Sequence, residues 1–397
     1  MKEYLTLAID TSCDETSASV VRGLTTLSNV MPSQMEFHKK FGGVVPSLAK
    51  LAHQDRIDNV IKEALKKAGV NVEDLDAIAV TYGPGLAIAL EIGVNKAKEL
   101  ATKYNKPLIA INHMEGHLLS SFAQRNFANA LKTSNLKLTT SFPSLGSLVS
   151  GGHTELILVN DFGIYEKIGE TLDDSCGEAY DKCGRILGLG YPAGPTISKF
   201  SKEHRKNVDI KIYRKNLSTI VSVINKNNGS TYELPIAMAN SGDLNFSYSG
   251  LKTAFKQLVE SLVNKKLTHQ DEVEGVEKSL NKEQILDLCV LIESAALGQL
   301  LFKVEKAVKQ YQPKEIWLGG GVVASARLRE LIRNICKEYG SKLRFPYSNK
   351  LTGDNAVMIA VAANIKLSKL ESISHNPENG IYLKDFELID RNPSLTF

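Results

Sequence analysis

The sequence predicts an α/β fold with mixed β-sheets. In the first 112 residues a strand hairpin is followed by helix, strand, helix and strand, an order typical of α/β domains. A second hairpin of apolar strands, Ser144–Val149 and Glu155–Val159, begins a similar pattern again. Glycine-rich turns follow the ends of several predicted strands. Together these features predict helices packed on mixed sheets, with the pattern recurring in the second half of the chain.

Composition limits the classes of protein to which the chain can belong. Its 397 residues are 43% hydrophobic and 23% charged, which is typical of a globular protein long enough for two domains. The formal net charge of +4 permits an anionic partner without requiring one. Five scattered cysteines without a C-x-x-C pair argue against a disulfide framework or a zinc knuckle.

The ends of the sequence and its apolar runs predict a cytoplasmic location. The chain enters a predicted strand at once, with no charged-then-apolar signal region. We also find no uninterrupted apolar run near the ~18 residues that a membrane span requires. We therefore expect a cytoplasmic protein that does not contact a membrane, and the absent presequence favours a bacterial origin.

The first hairpin carries a candidate site. Strands Tyr4–Ile9 and Thr16–Val21 flank a polar turn, Asp10–Glu15. Such a turn exposes backbone N–H groups suited to phosphate, and Asp10 is placed to hold a cation or orient water. The alternative is a hairpin turn that is merely polar.

Alternating helices and strands then lead to a pair of histidines. The elements are a glycine-rich loop, a helix, a strand, a tight turn, a helix and a strand: Phe41–Pro46, Ser47–Ala68, Asp76–Thr81, Tyr82–Gly85, Leu86–Tyr104 and Pro107–Ile111. Within the first helix, His53 is interpreted as a packing or hydrogen-bonding residue. Asn112 stands where a helix N-cap is expected.

The predicted helix after Asn112 places His113 and His117 on one face, because residues four apart share a face. Two imidazoles at this spacing suit zinc or iron. A solvated helix face is the alternative. A metallopeptidase would require a glutamate directly after the first histidine, but that position is Met114. Glu115 lies about 200° around the helix from His113, so we expect it to point away from a bound metal.

Three glycine-rich turns indicate the fold family. They are the Asp10–Glu15 hairpin, the Ser150–Thr154 hairpin, and Gly319–Gly321 between the strand Glu315–Leu318 and a helix beginning at Ala324. In this order they resemble the phosphate-1, phosphate-2 and adenosine elements of the actin, sugar kinase and Hsp70 superfold. The resemblance implies two domains with duplicated mixed β-sheets flanked by helices.

The domain limits that we expect follow from this resemblance. Residues 1–112 form the first domain, which the C-terminal helix, about 355–397, completes. Residues 113–354 form the second domain, with polar insertions near 124–142, 201–233 and 263–282.

Polar motifs in the second half are dense. The stretch Gly169–Lys182 holds five carboxylates within twelve residues, which would repel one another unless solvated or facing cations and hydroxyls. It is followed by the turn Gly190–Pro195 and by a hydroxyl-rich turn, Asn245–Thr253. Asp354 precedes an apolar helix that ends near Leu367, where it is either an N-cap or a third metal ligand.

These motifs together closely resemble the tRNA adenosine threonylcarbamoyltransferase family, once described as O-sialoglycoprotein endopeptidases. The matching stretches cover nearly the whole chain: Ala8–Thr16, Asn112–His117, Leu148–Thr154, Asp173–Lys182, Tyr191–Pro195, Phe246–Thr253 and Thr352–Asn355.

The resemblance implies a reaction. The threonylcarbamoyl group of threonylcarbamoyl-adenylate is transferred to N6 of adenosine 37 in tRNAs that read codons starting with A, and AMP is released. The substrate is an activated mixed anhydride, so no covalent nucleophile is needed, which agrees with the lack of a recognisable Ser or Cys triad. The implied partners are tRNA, threonylcarbamoyl-adenylate, a paralogous partner subunit and an accessory ATPase.

The resemblance also implies site residues. One divalent metal per subunit, Fe²⁺ with Zn²⁺ as the alternative, is held by His113, His117 and Asp354. An adenine nucleotide is bound as substrate or ligand. The residues that line its site are Leu148, Val149, Ser150, Gly151, Gly152, Asp181, Gly194 and Ser325. Asp10 is the candidate catalytic residue, which positions metal-bound groups or helps to remove the amine proton.

Several positions depart from the family pattern. Ser325 replaces an asparagine that contacts nucleotide, Ser198 a carboxylate that contacts ribose, and Ser47 a glutamate; serine retains one hydrogen bond. The insertion near 201–233 is rich in Lys and Arg. We expect it to form a solvated loop, with an RNA contact as the alternative.

Two other functions remain open. A carbohydrate kinase or ATPase of the same superfold would explain the glycine-rich turns, but not the histidines together with Asp354. A metallopeptidase would explain the histidines but lacks the adjacent glutamate.

Overall fold

A computed structural model describes residues 2–32, 45–126, 139–268, 270–271, 275–276, 279–370 and 374–397. Most of the predicted glycine-rich loop, at Phe41–Val44, lies outside the described residues. The same is true of residues 127–138 in the first predicted insertion and of several residues in the third.

The predicted strands and helices of the first 112 residues occur in the predicted order, and the described residues also form strands that the sequence did not predict. The strands are β1 Leu5–Asp10, β2 Ser17–Arg22, β3 Thr25–Val30, β4 Ala77–Gly83, β5 Leu108–Asn112, β6 Gln124–Arg125, β7 Ser144–Val149, β8 Thr154–Asp161, β9 Ile164–Glu170, β10 Val208–Lys215, β11 Ser218–Asn225, β12 Thr231–Ile236, β13 Glu315–Gly319, β14 Lys342–Arg344 and β15 Ile381–Tyr382. The helices are α1 Pro46–Ala68, α2 Ala87–Tyr104, α3 His113–Leu119, α4 Cys176–Ile186, α5 Gly194–His204, α6 Ser249–Val263, α7 Lys282–Tyr311, α8 Ala326–Tyr339 and α9 Ala356–Ser368.

Local sequence explains where these helices begin and end. Helix α1 has a proline in its first turn, where the missing N–H leaves no bond unmade, and it ends at Gly69 in the left-handed conformation (φ 70°). Helix α4 begins with a capping box in which Ser175 and Glu178 each bond the other's backbone N–H.

Two main sheets repeat one topology. The first has the strand order β15-β5-β4-β1-β2-β3-β6 and the second β14-β13-β7-β8-β9. In each, the first strand pairs antiparallel with its hairpin partner and parallel with a later strand, β4 or β13. The core order β3-β2-β1-β4-β5 therefore corresponds strand for strand to β9-β8-β7-β13-β14. This duplicated mixed sheet confirms the predicted actin/sugar kinase/Hsp70-like α/β fold class.

Helices α3 and α9 lie between the sheets. Helix α9 packs on β1 and β2, and α3 contacts strands of both sheets as well as α9. All six residues of β1 are buried, because helices cover both faces of this sheet. Since α3 touches both sheets, the boundary at residues 112 and 113 stays a prediction.

The C-terminal helix is shorter than the expected range of 355–397. Helix α9 ends at Ser368, and the described residues beyond it form short turns and strand β15. Pro377 and Gly380 lie in one such turn and cannot continue a helix, whereas β15 pairs with β5 and extends the first sheet.

The expectation of a solvated loop near 201–233 is wrong. Strands β10, β11 and β12 form a three-stranded antiparallel sheet with a continuous register. The inner face buries Val221, Val223 and Leu234 and packs on α7. Apolar residues at every second position supply that face, so the alternation decides the structure despite the many cations between them.

Helix α7 corrects the expectation that no apolar stretch is long enough to span a membrane. Among the described residues, it is the helix that is long and apolar enough to cross a membrane, judged by length and composition alone. However, 72% of its most apolar 18-residue stretch is buried inside the protein. It contributes Leu288, Leu291 and Leu300 to the core of the second sheet. Burial of this kind is typical of a core helix.

Candidate metal centre and anion-binding turns

The histidine pair lies on a helix whose start is fixed by its cap. Strand β5 ends at Asn112, and the Asn112 side-chain oxygen accepts hydrogen bonds from the N–H groups of Met114 (2.8 Å) and Glu115 (3.4 Å). Helix α3 therefore begins at His113, as predicted. One turn later comes His117, and the two ring centroids are 4.7 Å apart. Both imidazoles are buried.

Asp354, from the loop before α9, completes a group of three. Its Oδ1 lies 3.1 Å from Nε2 of His117 and 3.4 Å from Nε2 of His113. The three side chains converge because α3 and α9 pack closely. A Cβ on Gly116 would lie 2.8 Å from Cδ1 of Ile359.

This donor set fits a divalent ion of the zinc or iron class. Two imidazole nitrogens and a carboxylate oxygen bonded to one ion at about 2.1 Å would lie about 3.0 to 3.4 Å apart. The two imidazole–carboxylate separations, 3.1 and 3.4 Å, match that spacing. All three potential ligand atoms lie within 4.8 Å of one another. Among the described residues, no other three or more His, Cys, Asp or Glu side chains come together in this way.

The electrostatics of the three side chains are coupled. Burial disfavours charge on His113, but the carboxylates of Asp354 and Asp10 outweigh it and raise the His113 pKa to about 10. Burial, together with charged His113, lowers the pKa of His117. Although burial opposes its charge, Asp354 has a pKa well below its usual range because both imidazoles face it. A metal ligates only neutral imidazole, so an incoming ion must displace the His113 proton.

Asp10 lies behind His113 at the end of β1. It is fully buried, and its Oδ1 is 3.7 Å from Nδ1 of His113, too long for a hydrogen bond but close enough to attract a charged ring. Asp10 Oδ1 accepts a hydrogen bond from the N–H of Ser12 (3.3 Å), whereas Oδ2 has no partner among the described residues. This placement favours a role in orienting His113.

His53 holds the first turn in place. Its Nδ1 is 2.8 Å from the Thr16 hydroxyl and its Nε2 is 3.0 Å from the carbonyl oxygen of Cys13. Both ring nitrogens are thus occupied, in agreement with the predicted hydrogen-bonding role.

Glu115 faces away from the histidine pair, as predicted. Its carboxylate accepts a hydrogen bond from the Tyr165 hydroxyl (3.0 Å) on β9 and lies 3.7 Å from the Lys366 ammonium on α9. Since α3 and α9 lie between the two sheets, these bonds connect the metal-binding helix to the second sheet. The site therefore lacks the adjacent general base of a His-Glu-x-x-His peptidase.

The turn between β7 and β8 is built for close approach to a ligand. Leu148 and Val149 are buried in β7, whereas Gly151 and Gly152 are exposed and a Cβ on either would meet nothing within 4 Å. The Ser150 hydroxyl accepts hydrogen bonds from the N–H groups of Gly152 (3.3 Å) and His153 (3.0 Å).

Other elements fix this turn from both sides. The Ser175 hydroxyl donates to the Gly151 carbonyl oxygen at 2.7 Å. Gly320 has a φ of 97°, and a Cβ there would lie 2.4 Å from the Val149 carbonyl oxygen. The second and third glycine-rich turns are therefore in direct contact.

The other residues that were predicted to bind nucleotide form hydrogen bonds within the protein. Asp181 Oδ1 accepts the N–H of Ala193 at 2.7 Å, and burial raises the Asp181 pKa. The side chain thus holds the turn that leads into Gly194, where an added Cβ would make an ordinary contact of 3.9 Å with Cβ of Tyr180. Ser325 caps α8 by accepting the N–H of Leu328 (3.3 Å), and the Ser198 hydroxyl donates to Glu293 (3.1 Å). None of these hydroxyls shows a direct contact with the histidine group.

Two predicted polar motifs meet at Asp173. Its carboxylate accepts bonds from the hydroxyls of Ser247 and Ser249 (2.6 Å each) and from the backbone N–H groups of Tyr248 and Ser249. These bonds outweigh burial and lower the Asp173 pKa. Asp174 pairs with Lys182. The crowded carboxylates therefore face hydroxyls and a cation, the arrangement that the sequence required.

Sequence reasoning did not select His153 or Glu155 as site residues. Burial and the neighbouring imidazoles of His113 and His117 lower the His153 pKa to about 4, so a third, neutral imidazole stands beside the pair. Burial raises the pKa of Glu155 to about 7. The Ser150–Thr154 motif was the available signal for His153; nothing in the sequence pointed to Glu155.

The chain is similar over most of its length to known proteins of one family. A family model, "TsaD: tRNA N6-adenosine threonylcarbamoyltransferase", matches residues 25–361. A protein of that name from Bacillus subtilis (strain 168) is 38% identical over 394 residues, covering 98% of this chain and 99% of the relative. One from Streptococcus pneumoniae (strain CGSP14) is 41% identical over 364 residues, covering 91% and 92%.

Solved structures are more distant. Full-length HypF in its phosphate- and nucleotide-bound form is 12% identical, with a TM-score of 0.49, over 92% of this chain and 56% of that one. The ROK hexokinase from Thermus thermophilus is 14% identical, with a TM-score of 0.39, over 93% and 100%.

Proposed function

The chain belongs to the tRNA N6-adenosine threonylcarbamoyltransferase family, and on this premise we propose the full reaction. The enzyme transfers the threonylcarbamoyl group from threonylcarbamoyl-adenylate to N6 of adenosine 37 in tRNAs that read codons starting with A, and it releases AMP. The observation that supports this proposal most strongly is the convergence of His113, His117 and Asp354 on one point.

In this proposal, different residues bind the carbamoyl end and the phosphate end of the substrate. An ion held by His113, His117 and Asp354 would supply Lewis-acid polarisation of the carbamoyl oxygen. The exposed backbone of Gly151 would let a phosphate approach without side-chain obstruction, and the Gly152 N–H, which donates to the Ser150 hydroxyl at 3.3 Å, would exchange that bond for one to the phosphate. In the transfer, N6 forms a bond to the carbamoyl carbon, the bond from that carbon to the phosphate oxygen breaks, AMP leaves with the electron pair, and the proton released from N6 passes to the departing phosphate or to water.

We assign Asp10 a positioning role in this reaction. Its carboxylate lies beside Nδ1 of His113 and orients the ring whose Nε2 faces Asp354. The adenylate would extend from the turn at 148–152 toward Gly194 and Ser325, with Asp181 holding the backbone at Ala193.

We propose Fe²⁺ as the resident ion, with Zn²⁺ as the alternative, and a paralogous subunit and an accessory ATPase as partners in the cytoplasm. The first domain comprises residues 1–112 with the C-terminal segment, and the second comprises residues 113–354.

The test is a reconstituted reaction. The protein is incubated with threonylcarbamoyl-adenylate, a tRNA that reads codons starting with A, and candidate partner proteins; threonylcarbamoyladenosine and AMP are then quantified by mass spectrometry. We expect one AMP for each modified nucleoside. If no partner combination yields the modified nucleoside, or if AMP appears without it at the same rate with and without tRNA, the proposed reaction is wrong.

The two other functions are tested in parallel. Phosphorylation of a sugar by ATP would support a kinase, and peptide cleavage that is lost in His113→Ala would support a peptidase. Neither accounts for the whole site. A kinase does not use the histidine–aspartate group, and Glu115 is bonded to Tyr165 instead of facing the metal position.

A further inference from the structure

The end of α5 and the three-stranded sheet that follows it together carry the excess positive charge of the protein. Residues 201–233 contain seven Lys and Arg against three Asp and Glu, an excess of four that equals the formal net charge of the whole chain, +4. The rest of the chain is therefore balanced. A charge imbalance confined to one continuous segment favours an anionic partner at that segment.

This sheet is anchored, so its charges have fixed positions. The Asp287 carboxylate on α7 is fully buried, and it accepts bonds from Asn225 Nδ2 (3.0 Å) and lies 2.7 Å from Nε2 of His204. Arg205 forms an ion pair with buried Glu293, which also accepts a bond from the Ser198 hydroxyl. The residues just before β10 and the last residue of β11 are thus bonded to α7, and these bonds attach the sheet to the core helix.

Part of the positive charge is neutralised within the sheet and part is not. Lys215 pairs with Glu233 (3.4 Å) and Lys226 with Asp209 (3.1 Å). By contrast, Lys202, Lys206, Lys211 and Arg214 are exposed and take part in no ion pair among the described residues. We call these four residues the open cations. Lys202 lies in the last turn of α5, Lys206 directly after that helix, and Lys211 and Arg214 on strand β10.

Strand β10 is also accessible. It is the edge strand of its sheet, and its side chains from Lys211 to Lys215 are all exposed. Tyr213 stands between Lys211 and Lys215 on the outer face, because alternate residues of a strand share a face, and 36% of its surface is exposed. Its hydroxyl donates to the Glu233 carboxylate, and Arg214 extends from the other face of the exposed edge strand. Cations interleaved with an aromatic ring are typical of surfaces that contact nucleic acid backbone and bases.

The position of the open cations relative to the proposed adenylate site fits a polynucleotide. Helix α5 begins at Gly194 and has 11 residues. Lys202, the first open cation, lies eight residues after Gly194, which at a rise of about 1.5 Å per residue places it about 12 Å further along the helix axis. A tRNA whose adenosine reaches the adenylate would have further phosphates within this distance.

We propose that the open cations and Tyr213 bind the phosphate backbone of the substrate tRNA beside the modified loop. This inference rests on the proposed function and adds a contact surface to it. The contact is electrostatic and sequence-independent, so it raises tRNA affinity and positions the tRNA without selecting the codon.

The experiment compares two triple variants. In the first, Lys206→Ala, Lys211→Ala and Arg214→Ala remove three open cations. The matched control, Lys314→Ala, Lys337→Ala and Lys342→Ala, removes three exposed lysines that precede β13, end α8 and begin β14. Those positions lie at the opposite ends of these elements from Gly319 and Ser325, and so away from the proposed site.

Affinity for a tRNA that reads codons starting with A is measured at several salt concentrations, together with KM for tRNA and kcat. We expect the first variant to bind about tenfold more weakly and to lose about two to three units of the log–log salt slope, since each phosphate contact contributes about 0.7 to 0.9. We expect kcat at saturating tRNA to stay near wild type, and the control variant to match wild type throughout. Thermal unfolding and the conservative variant Lys206→Arg, Lys211→Arg verify that the sheet remains folded.

The outcomes separate this inference from the proposed function. If wild type forms threonylcarbamoyladenosine but the first variant keeps wild-type affinity and salt slope, the surface does not bind tRNA. If the variant instead loses binding to a partner protein with tRNA affinity unchanged, the inference is likewise overturned. If wild type forms no product, the proposed function fails, while tRNA affinity still reports on the surface.

Discussion

The two main sheets share one topology and differ in chemistry at the same position. The turn after β1 carries Asp10, a fully buried carboxylate that faces His113. The corresponding turn after β7 carries Gly151 and Gly152, both exposed and with open space beside the backbone. The first turn thus places a carboxylate beside the candidate metal site, whereas the second leaves the Gly151 backbone open to a ligand and has its Gly152 N–H donating to the Ser150 hydroxyl at 3.3 Å. The duplicated scaffold fixes where the turns lie, and their side chains decide what they bind.

Both copies also contribute to the metal centre. His113 and His117 follow β5, the last strand of the first core order, and Asp354 follows β14, the last strand of the second. The helices that begin there, α3 and α9, pack against each other. The ligands therefore come from corresponding places in the two halves, and the centre requires both.

The largest expected effect follows from this shared construction. His117→Ala and Asp354→Ala each remove one ligand, from different halves, and should reduce metal affinity and product formation by more than the ~100-fold seen when only an outer partner is lost. Metal content by elemental mass spectrometry and product formation are measured together. Glu115→Gln, in the same helix but bonded to Tyr165, should keep the metal. Full metal content in Asp354→Ala would contradict the statement that both halves are needed, because the two histidines of the first half would then be enough to bind the metal.

A second prediction contrasts two glycines of adjacent turns. Gly320→Ala places a Cβ 2.4 Å from the Val149 carbonyl at a φ of 97°, and it should lower the free energy of unfolding by about 2 to 4 kcal/mol. Gly151→Ala meets no atom within 4 Å and should change stability by less than about 0.5 kcal/mol, with its effect appearing in KM for the adenylate instead. Urea unfolding and steady-state kinetics measure both. Equal destabilisation would contradict the contact between the turns.

The third prediction concerns pH. Burial raises the folded-state pKa of Glu155 from near 4.5 to about 7, so the folded protein binds this proton more tightly than the unfolded chain does. This contribution to stability is fully present below pH 4.5 and is lost as pH rises toward 7. Glu155→Gln should therefore be more stable than wild type at pH 8, by about 1 to 3 kcal/mol, and show a flatter profile between pH 5 and 7. The exposed Glu166→Gln on the same hairpin is the control. A wild-type pH profile in Glu155→Gln would show that the carboxyl is not perturbed.

The smallest expected effect tests the link between α3 and the second sheet. Tyr165→Phe removes the hydrogen bond to Glu115 and should lower stability by about 1 kcal/mol. Tyr213→Phe, on the exposed strand β10, serves as the control and should change stability by less than about 0.5 kcal/mol. Chemical denaturation compares the two. An unchanged stability in Tyr165→Phe would mean that Lys366 alone satisfies Glu115.

Much of the site could be predicted because its signals are local. The Asn112 cap and the four-residue spacing of the histidines fix their geometry within a single helix. Asp354 and the nucleotide residues required the family resemblance, because they are distant in sequence and meet only when the sheets pack. His153 and Glu155 were missed for the same reason, since their perturbed pKa values arise from burial and from neighbours on other elements.

The insertion shows where composition misleads. Its lysines and arginines suggested a loop, whereas the alternation of Ile210 and Ile212 with polar residues was the better signal for a strand. Strand β15 could not be anticipated, because two residues carry no periodicity and their pairing with β5 depends on a chain reversal after α9.

The central claim is that threonylcarbamoyl transfer to tRNA depends on an ion held by both halves of the molecule. The most direct test removes metal from the wild-type protein with a chelator, restores Fe²⁺ or Zn²⁺, and quantifies threonylcarbamoyladenosine at each stage, beside His113→Ala treated identically. We predict that product formation is lost on removal and regained on restoration in wild type, and is absent at every stage in His113→Ala. Undiminished product from the metal-free protein, or from His113→Ala, would contradict the claim.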